Sequence, residues 1–228
     1  MRYLAFLLSV GTLAAQWDSV GNRNMVLGKL YQRERQPENP FCESAGCTVK
    51  HEVIGEYDVP YKTRKGKLIV ATSTDPNHDC HGCGPALSFF EFSLRGKKWE
   101  LTESYFAVLQ WGQFGGAYQQ GITVEALGDD LYGIFLPAGS TNQGITSQST
   151  TILARIGKEL SVVATIPTLE DTSGGINPGA SDWSATISVD PGPARVHGLI
   201  VTTSGVKDGE KIAKTERYKF NGKEYVPD

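Results

Sequence analysis

An all-β chain of antiparallel hairpins is the fold class this sequence predicts, and three features predict it. Short β-branched runs stand between clusters of Gly, Pro, Asp and Asn, the pattern of strands separated by turns. One segment, "ALSFFEFSLRGKKWELTESYFAVLQWG", reads as a hairpin on its own. A Gly-centred turn also recurs at Gly66, Gly96, Gly128, Gly157 and Gly222, spaced 30, 32, 29 and 65 residues apart, the last gap near twice the others. A spacing of about thirty residues accommodates two strands and a connection. A lone hairpin cannot bury its apolar face, so about ten to twelve such strands must pack on one another. The expected architecture is an antiparallel meander of repeated hairpins forming a barrel or sandwich. A small propeller-like array of hairpins is the alternative.

The elements follow in order along the 228 residues. Arg2, the apolar run from Tyr3 to Ala15 and the small residues Ala14 and Ala15 have the anatomy of a secretory signal peptide over 1–15. That run is too short to span a bilayer, and no later stretch is longer, so no transmembrane segment is expected after its removal. Residues 16–47 are polar and form an irregular N-terminal arm, with a helical turn or two around Asn24 to Arg33. Residues 48–228 are expected to form a single β-rich domain. "TVKHEVIGEYDV" and "GKLIVATST" are its first strands. In the strong hairpin Phe90 and Phe92 alternate with Glu91 and Ser93, Arg95-Gly96-Lys97 turns, and Trp99 and Leu101 alternate on the return. Related turns occur in "EALGDDLYGI", "LARIGKELSV" and "YKFNGKEYV". Segments 110–121 ("QWGQFGGAYQQG") and 136–150 ("LPAGSTNQGITSQST") read as loops that interrupt this rhythm. Segment 169–183 reads as a joint before a terminal hairpin set.

The cysteines fall in two local pairs, Cys42 with Cys47 and Cys80 with Cys83. An even count behind an export signal reads as disulfides, and three connectivities are compatible with the sequence. A Cys80–Cys83 bridge closes a very small loop, worth about 2 kcal/mol before strain. A bridge between the two pairs would close roughly 35 residues, for about 4 kcal/mol, and would pin the arm to the β body. The alternative makes "CHGC" a thiol-redox centre or a zinc site, with His78, Cys80, His81 and Cys83 as local ligands or all four cysteines as a closed set. A redox CxxC usually opens a helix, whereas Gly84-Pro85 and a β run follow here. Gly84 stands where covalent haem attachment needs His. Asp75, Asn77 and Asp79 have the alternation of a calcium loop but lack its sixth-position Gly and twelfth-position Glu.

No nucleophile elbow, zinc-protease motif or phosphate-binding loop is present. His51 and His197 lie in strand-like runs and read as hydrogen-bonded structural residues. The net charge of −3, with no basic stripe, argues against a nucleic-acid partner. The best binding candidate is the aromatic-glycine loop, where Trp111, Phe114 and Tyr118 could stack on a ligand while Asn142 and Gln143 supply amides. The competing reading folds these rings back over one end of the core.

Cys80-His81-Gly82-Cys83-Gly84-Pro85, the F-x-F strand, Trp99, Trp111-Gly112 and the run from Gly139 to Ser147 resemble a group of exported bacterial proteins of unknown function. Those proteins share a CHxC-x-P start and a Gly/Thr-rich GQG-x-TS loop, with Ile145 here where members carry an aromatic residue. The ending from Tyr218 to Tyr225 is similar to one that closes various secreted β proteins. The resemblance implies export and β structure and brings no activity with it. Function is therefore expected to be non-enzymatic: a periplasmic or secreted protein, stabilised by disulfides, that binds a ligand or an envelope component without a cofactor.

Overall fold

The structure is a computed structural model that describes Tyr31 and residues 49–74, 80–118, 121–175 and 180–228. Residues 1–15, expected to be a signal peptide, the rest of 16–47 with Cys42 and Cys47, and His78 lie outside the described residues. Among the described residues twelve antiparallel strands run β1 (Lys50–Val59), β2 (Gly66–Thr74), β3 (Ala86–Arg95), β4 (Lys98–Gln110), β5 (Thr123–Gly128), β6 (Leu131–Asn142), β7 (Ile145–Ile156), β8 (Glu159–Asp171), β9 (Asp182–Asp190), β10 (Gly198–Lys207), β11 (Glu210–Phe220) and β12 (Tyr225–Pro227). They form a four-stranded sheet in the order β1-β2-β3-β4 and an eight-stranded sheet in the order β12-β11-β10-β9-β8-β7-β6-β5. Both are meanders, and neither closes into a barrel.

Side-chain alternation makes the stack three layers deep. Tyr132, Ile134, Leu136 and Leu153 of β6 and β7 pack against Leu68, Val70, Leu87 and Phe89 of the first sheet. Their neighbours Phe135, Ile152 and Ala154 face the other way, onto Leu199, Val201 and Tyr225. The centre of β6 and β7 is thus buried on both faces, which explains the unbroken apolar runs "YGIFL" and "ILA". The eight-stranded sheet can fold around this layer because β8 and β9 pair over Leu169↔Ser184, Glu170↔Trp183 and Asp171↔Asp182 only.

The outer face of the first sheet carries Ile69, Ala71, Phe90 and Phe92, with Tyr31 packed against them. Tyr31 is helical, as expected for its segment. Its ring stacks on His51 at 3.7 Å between centroids and meets Phe90 and Phe106 edge-on. His51 is hydrogen-bonded to Ser73 at 2.8 Å and Ser73 to the Tyr31 hydroxyl at 3.1 Å. His51 has the structural role its sequence context suggests, and burial holds its imidazole below the usual range.

One expectation is corrected. Residues 136–150 are not a loop. They are the distal halves of β6 and β7, paired continuously from Pro137↔Thr150 to Asn142↔Ile145 around a Gln143-Gly144 turn. Thr and Ser suit a pleated surface as well as an open loop, and the Thr141 and Thr146 hydroxyls bond across the pair at 2.9 Å. The neighbouring segment around 111–118 does lie outside the strands.

Candidate functional site

Because consecutive strands are antiparallel, the connections gather at two ends. One end holds residues 80–85, 111–118, 121–122, 143–144, 172–175, 180–181 and 208–209. The other holds 60–65, 96–97, 129–130, 157–158, 191–197 and 221–224, and so collects the glycine turns that recur in the sequence.

At the first end Cys80 and Cys83 are joined to each other, with Cα atoms 5.0 Å apart. The crossed connectivity, which would have drawn Cys80 and Cys83 to the arm, is not the one adopted. The bridge supports the aromatic loop. The Phe114 amide donates to the Cys80 carbonyl at 3.2 Å, the Gly115 amide to the Cys83 carbonyl at 2.7 Å, and the Trp111 amide to Pro85 at 3.0 Å. At Gly112, φ is +143° and the Gly116 carbonyl fills the space a Cβ would need.

Trp111 is only 4% exposed and donates its indole N–H to the Pro137 carbonyl at 3.2 Å. Tyr118 packs edge-on against it. Trp111 thus closes the end of the core, with Tyr118 half-buried beside it. Phe114 differs: it is 56% exposed, has φ +50° and rests on the edge of His81 at 4.6 Å. Asn142 and Gln143 sit at the β6–β7 tip, where Gly144 packs against the Gly174 backbone. Trp111 and Tyr118 are in ring contact, and Phe114, Asn142 and Gln143 lie at the same end of the molecule. No helix begins at CHGC, which runs through a turn into β3. The sulfurs are spent on one another, and no metal-holding group of three His, Cys, Asp or Glu side chains occurs among the described residues.

The opposite end contains a cleft of about 750 Å³ where all three layers meet. Its walls come from Tyr61 and Arg64 of the β1–β2 loop, Asp129 to Tyr132, Arg155 to Gly157, and the β9–β10 loop from Gly192 to His197. The layers are bolted together there. The Lys62 amide donates to the Asp129 carbonyl at 3.1 Å and the His197 amide to Leu127 at 2.8 Å. The Tyr225 hydroxyl donates to the His197 carbonyl at 2.8 Å. Gly128 lies so close under the Arg195 carbonyl that a Cβ would come within 2.6 Å of it.

Beneath the cleft lies Glu91, fully buried on β3. It accepts from Tyr61 at 2.7 Å, Tyr132 at 3.1 Å, Arg64 at 3.2 Å and Thr102 at 3.4 Å. The Arg64 guanidinium lies over the Tyr61 ring, 3.9 Å from its centroid. A buried carboxylate persists when it is paired and its lone pairs are filled, as here. Burial, reinforced by the Glu91 charge and hydrogen bonds, pushes the Tyr61 and Tyr132 phenols well above their usual range. Both therefore stay protonated donors.

Little in the sequence marks this cluster. Glu91 reads as the polar member of an alternating strand, which is right for a sheet with one wet face. The contrary signal was the contiguous apolar "LIVA" of β2 beside it, which marks a sheet covered on both faces. No family model, no curated protein and no solved structure matches the chain.

Proposed function

We propose that this is an exported, periplasmic or secreted, non-catalytic binding protein, and that its ligand, a component of the cell envelope, sits in the cleft at the glycine-turn end. The observation that carries the reading is the construction of that cleft. Its walls belong to three different layers, locked to one another by backbone hydrogen bonds, over a saturated Glu91–Tyr61–Tyr132–Arg64 floor. Such a site is formed before the ligand arrives, and prior order lowers the cost of binding. The Glu91 network supplies rigidity rather than chemistry: its carboxylate is occupied on every side and its phenols hold their protons.

Gly192 provides the test. It lines the cleft, and a side chain added there meets open space. Gly192→Trp should fill the cleft without disturbing the core, and should abolish co-sedimentation of the purified chain with isolated peptidoglycan sacculi and envelope fragments. Phe114→Ala, at the far end, should leave retention unchanged. Retention that survives Gly192→Trp but is lost in Phe114→Ala would move the site to the disulfide end and refute the cleft reading.

A further inference from the structure

Resting on the cleft reading, we propose that the ligand is an acidic saccharide, a hydroxyl-rich ring bearing a carboxylate or phosphate whose anionic group is taken by Arg195 and Arg64. Three arginines line the cleft, and they are not equivalent. Arg155 is satisfied within the protein, by Glu103 at 2.8 Å and the Gly157 carbonyl at 3.0 Å. Arg64 spends one amino group on Glu91, and its side chain is still 43% exposed, leaving donors of a rigid fork open to the cleft. Arg195 forms no ion pair with any described residue, while its backbone is fixed against Gly128. A guanidinium without a partner, on a held backbone in a concave wall, matches a carboxylate or phosphate in bidentate geometry.

The other wall groups call for hydroxyls. Asp129 and Asp130 each engage one carboxylate oxygen, with Lys62 at 3.1 Å and Thr63 at 3.3 Å, and each retains a second acceptor. A free inorganic anion would leave most of the 750 Å³ empty. A nucleotide would want an open ring to stack on, but one face of Tyr61 is covered by Arg64, and both tyrosine hydroxyls are held by Glu91. Anion plus hydroxyls is the combination that uses what remains.

Calorimetric titration of the purified chain with trigalacturonate, glucose 6-phosphate and maltotriose tests this. At least one acidic sugar should bind about tenfold or more tighter than maltotriose, with affinity falling as salt rises. The arm that binds tells carboxylate from phosphate. Arg195→Ala should lose about tenfold or more of that affinity without lowering the melting temperature, since its side chain is exposed. Equal binding of the neutral sugar, or undiminished binding by Arg195→Ala, overturns the proposal. So does failure of all three sugars to bind. If the sugars fail while Gly192→Trp still abolishes sacculus retention, the ligand class is wrong and the cleft reading stands. If Gly192→Trp is also retained, both fall.

Discussion

Glu91 and Trp111 show at single-residue scale how burial converts an apparent surface group into structure. Removing the carboxylate strands two buried phenol donors and Arg64, so Glu91→Ala should cost roughly 2–4 kcal/mol in denaturant unfolding. Glu91→Gln should recover part of that, because an amide oxygen still accepts. Trp111→Ala opens a cavity under the aromatic loop and should cost about 3–5 kcal/mol. Were its ring a stacking platform, stability would barely change and binding would suffer instead. The exposed candidates were readable as residue types, but their environments were not. Phe114 and Trp111 stand three positions apart in the same loop, and only the fold decides that one is outside and the other in.

At the scale of elements, the turns were the most legible part. Each glycine-turn motif marks a chain reversal, because a tight turn selects Gly locally whatever surrounds it. Gly96 and Gly157 have φ near +63° and are open to solvent, as such turns require. The Ser/Thr-rich β6–β7 tip reads as a loop because its residues carry no apolar alternation. Its distal strands gain their order from pairing with each other and with β8, a long-range fact that composition does not contain. The disulfide end yields an element-scale prediction. The Cys80 and Cys83 carbonyls hold the Phe114–Gly115 turn, and φ +50° is unfavourable for an aromatic residue. Cleaving the bridge with a dithiol reductant should raise amide exchange at Phe114 and Gly115, and leave unchanged the exchange of the Lys62 and His197 amides, which bridge the layers at the cleft end. Exchange that rises equally at both ends would show the bridge to be a global staple.

For the whole molecule, layering decides pH behaviour. Burial pushes the phenols of Tyr31, Tyr57, Tyr61, Tyr105, Tyr132 and Tyr225 upward, those of Tyr105 and Tyr225 to about 12. A folded-state value above the unfolded one means the native state binds more protons at high pH. The associated stability is complete below about pH 10 and is lost as pH rises through 10 to 12. Denaturant midpoints should therefore be insensitive to tyrosine ionisation up to about pH 10 and fall steeply above it, with tyrosinate absorbance rising in step with unfolding. Fold class, strand number and the positions of the turns could be read from local pattern. The three-layer stacking, and with it the cleft, could not, because it depends on which faces of β5–β8 meet which partners.

A ligand should touch the protein at the glycine-turn end. The most direct measurement is a backbone-resolved NMR titration of the purified chain with soluble peptidoglycan fragments. The shifts should concentrate at 60–65, 129–132, 155–157 and 192–197 and leave 80–85 and 111–118 still. Shifts confined to the disulfide end, with the cleft turns unmoved, would contradict it.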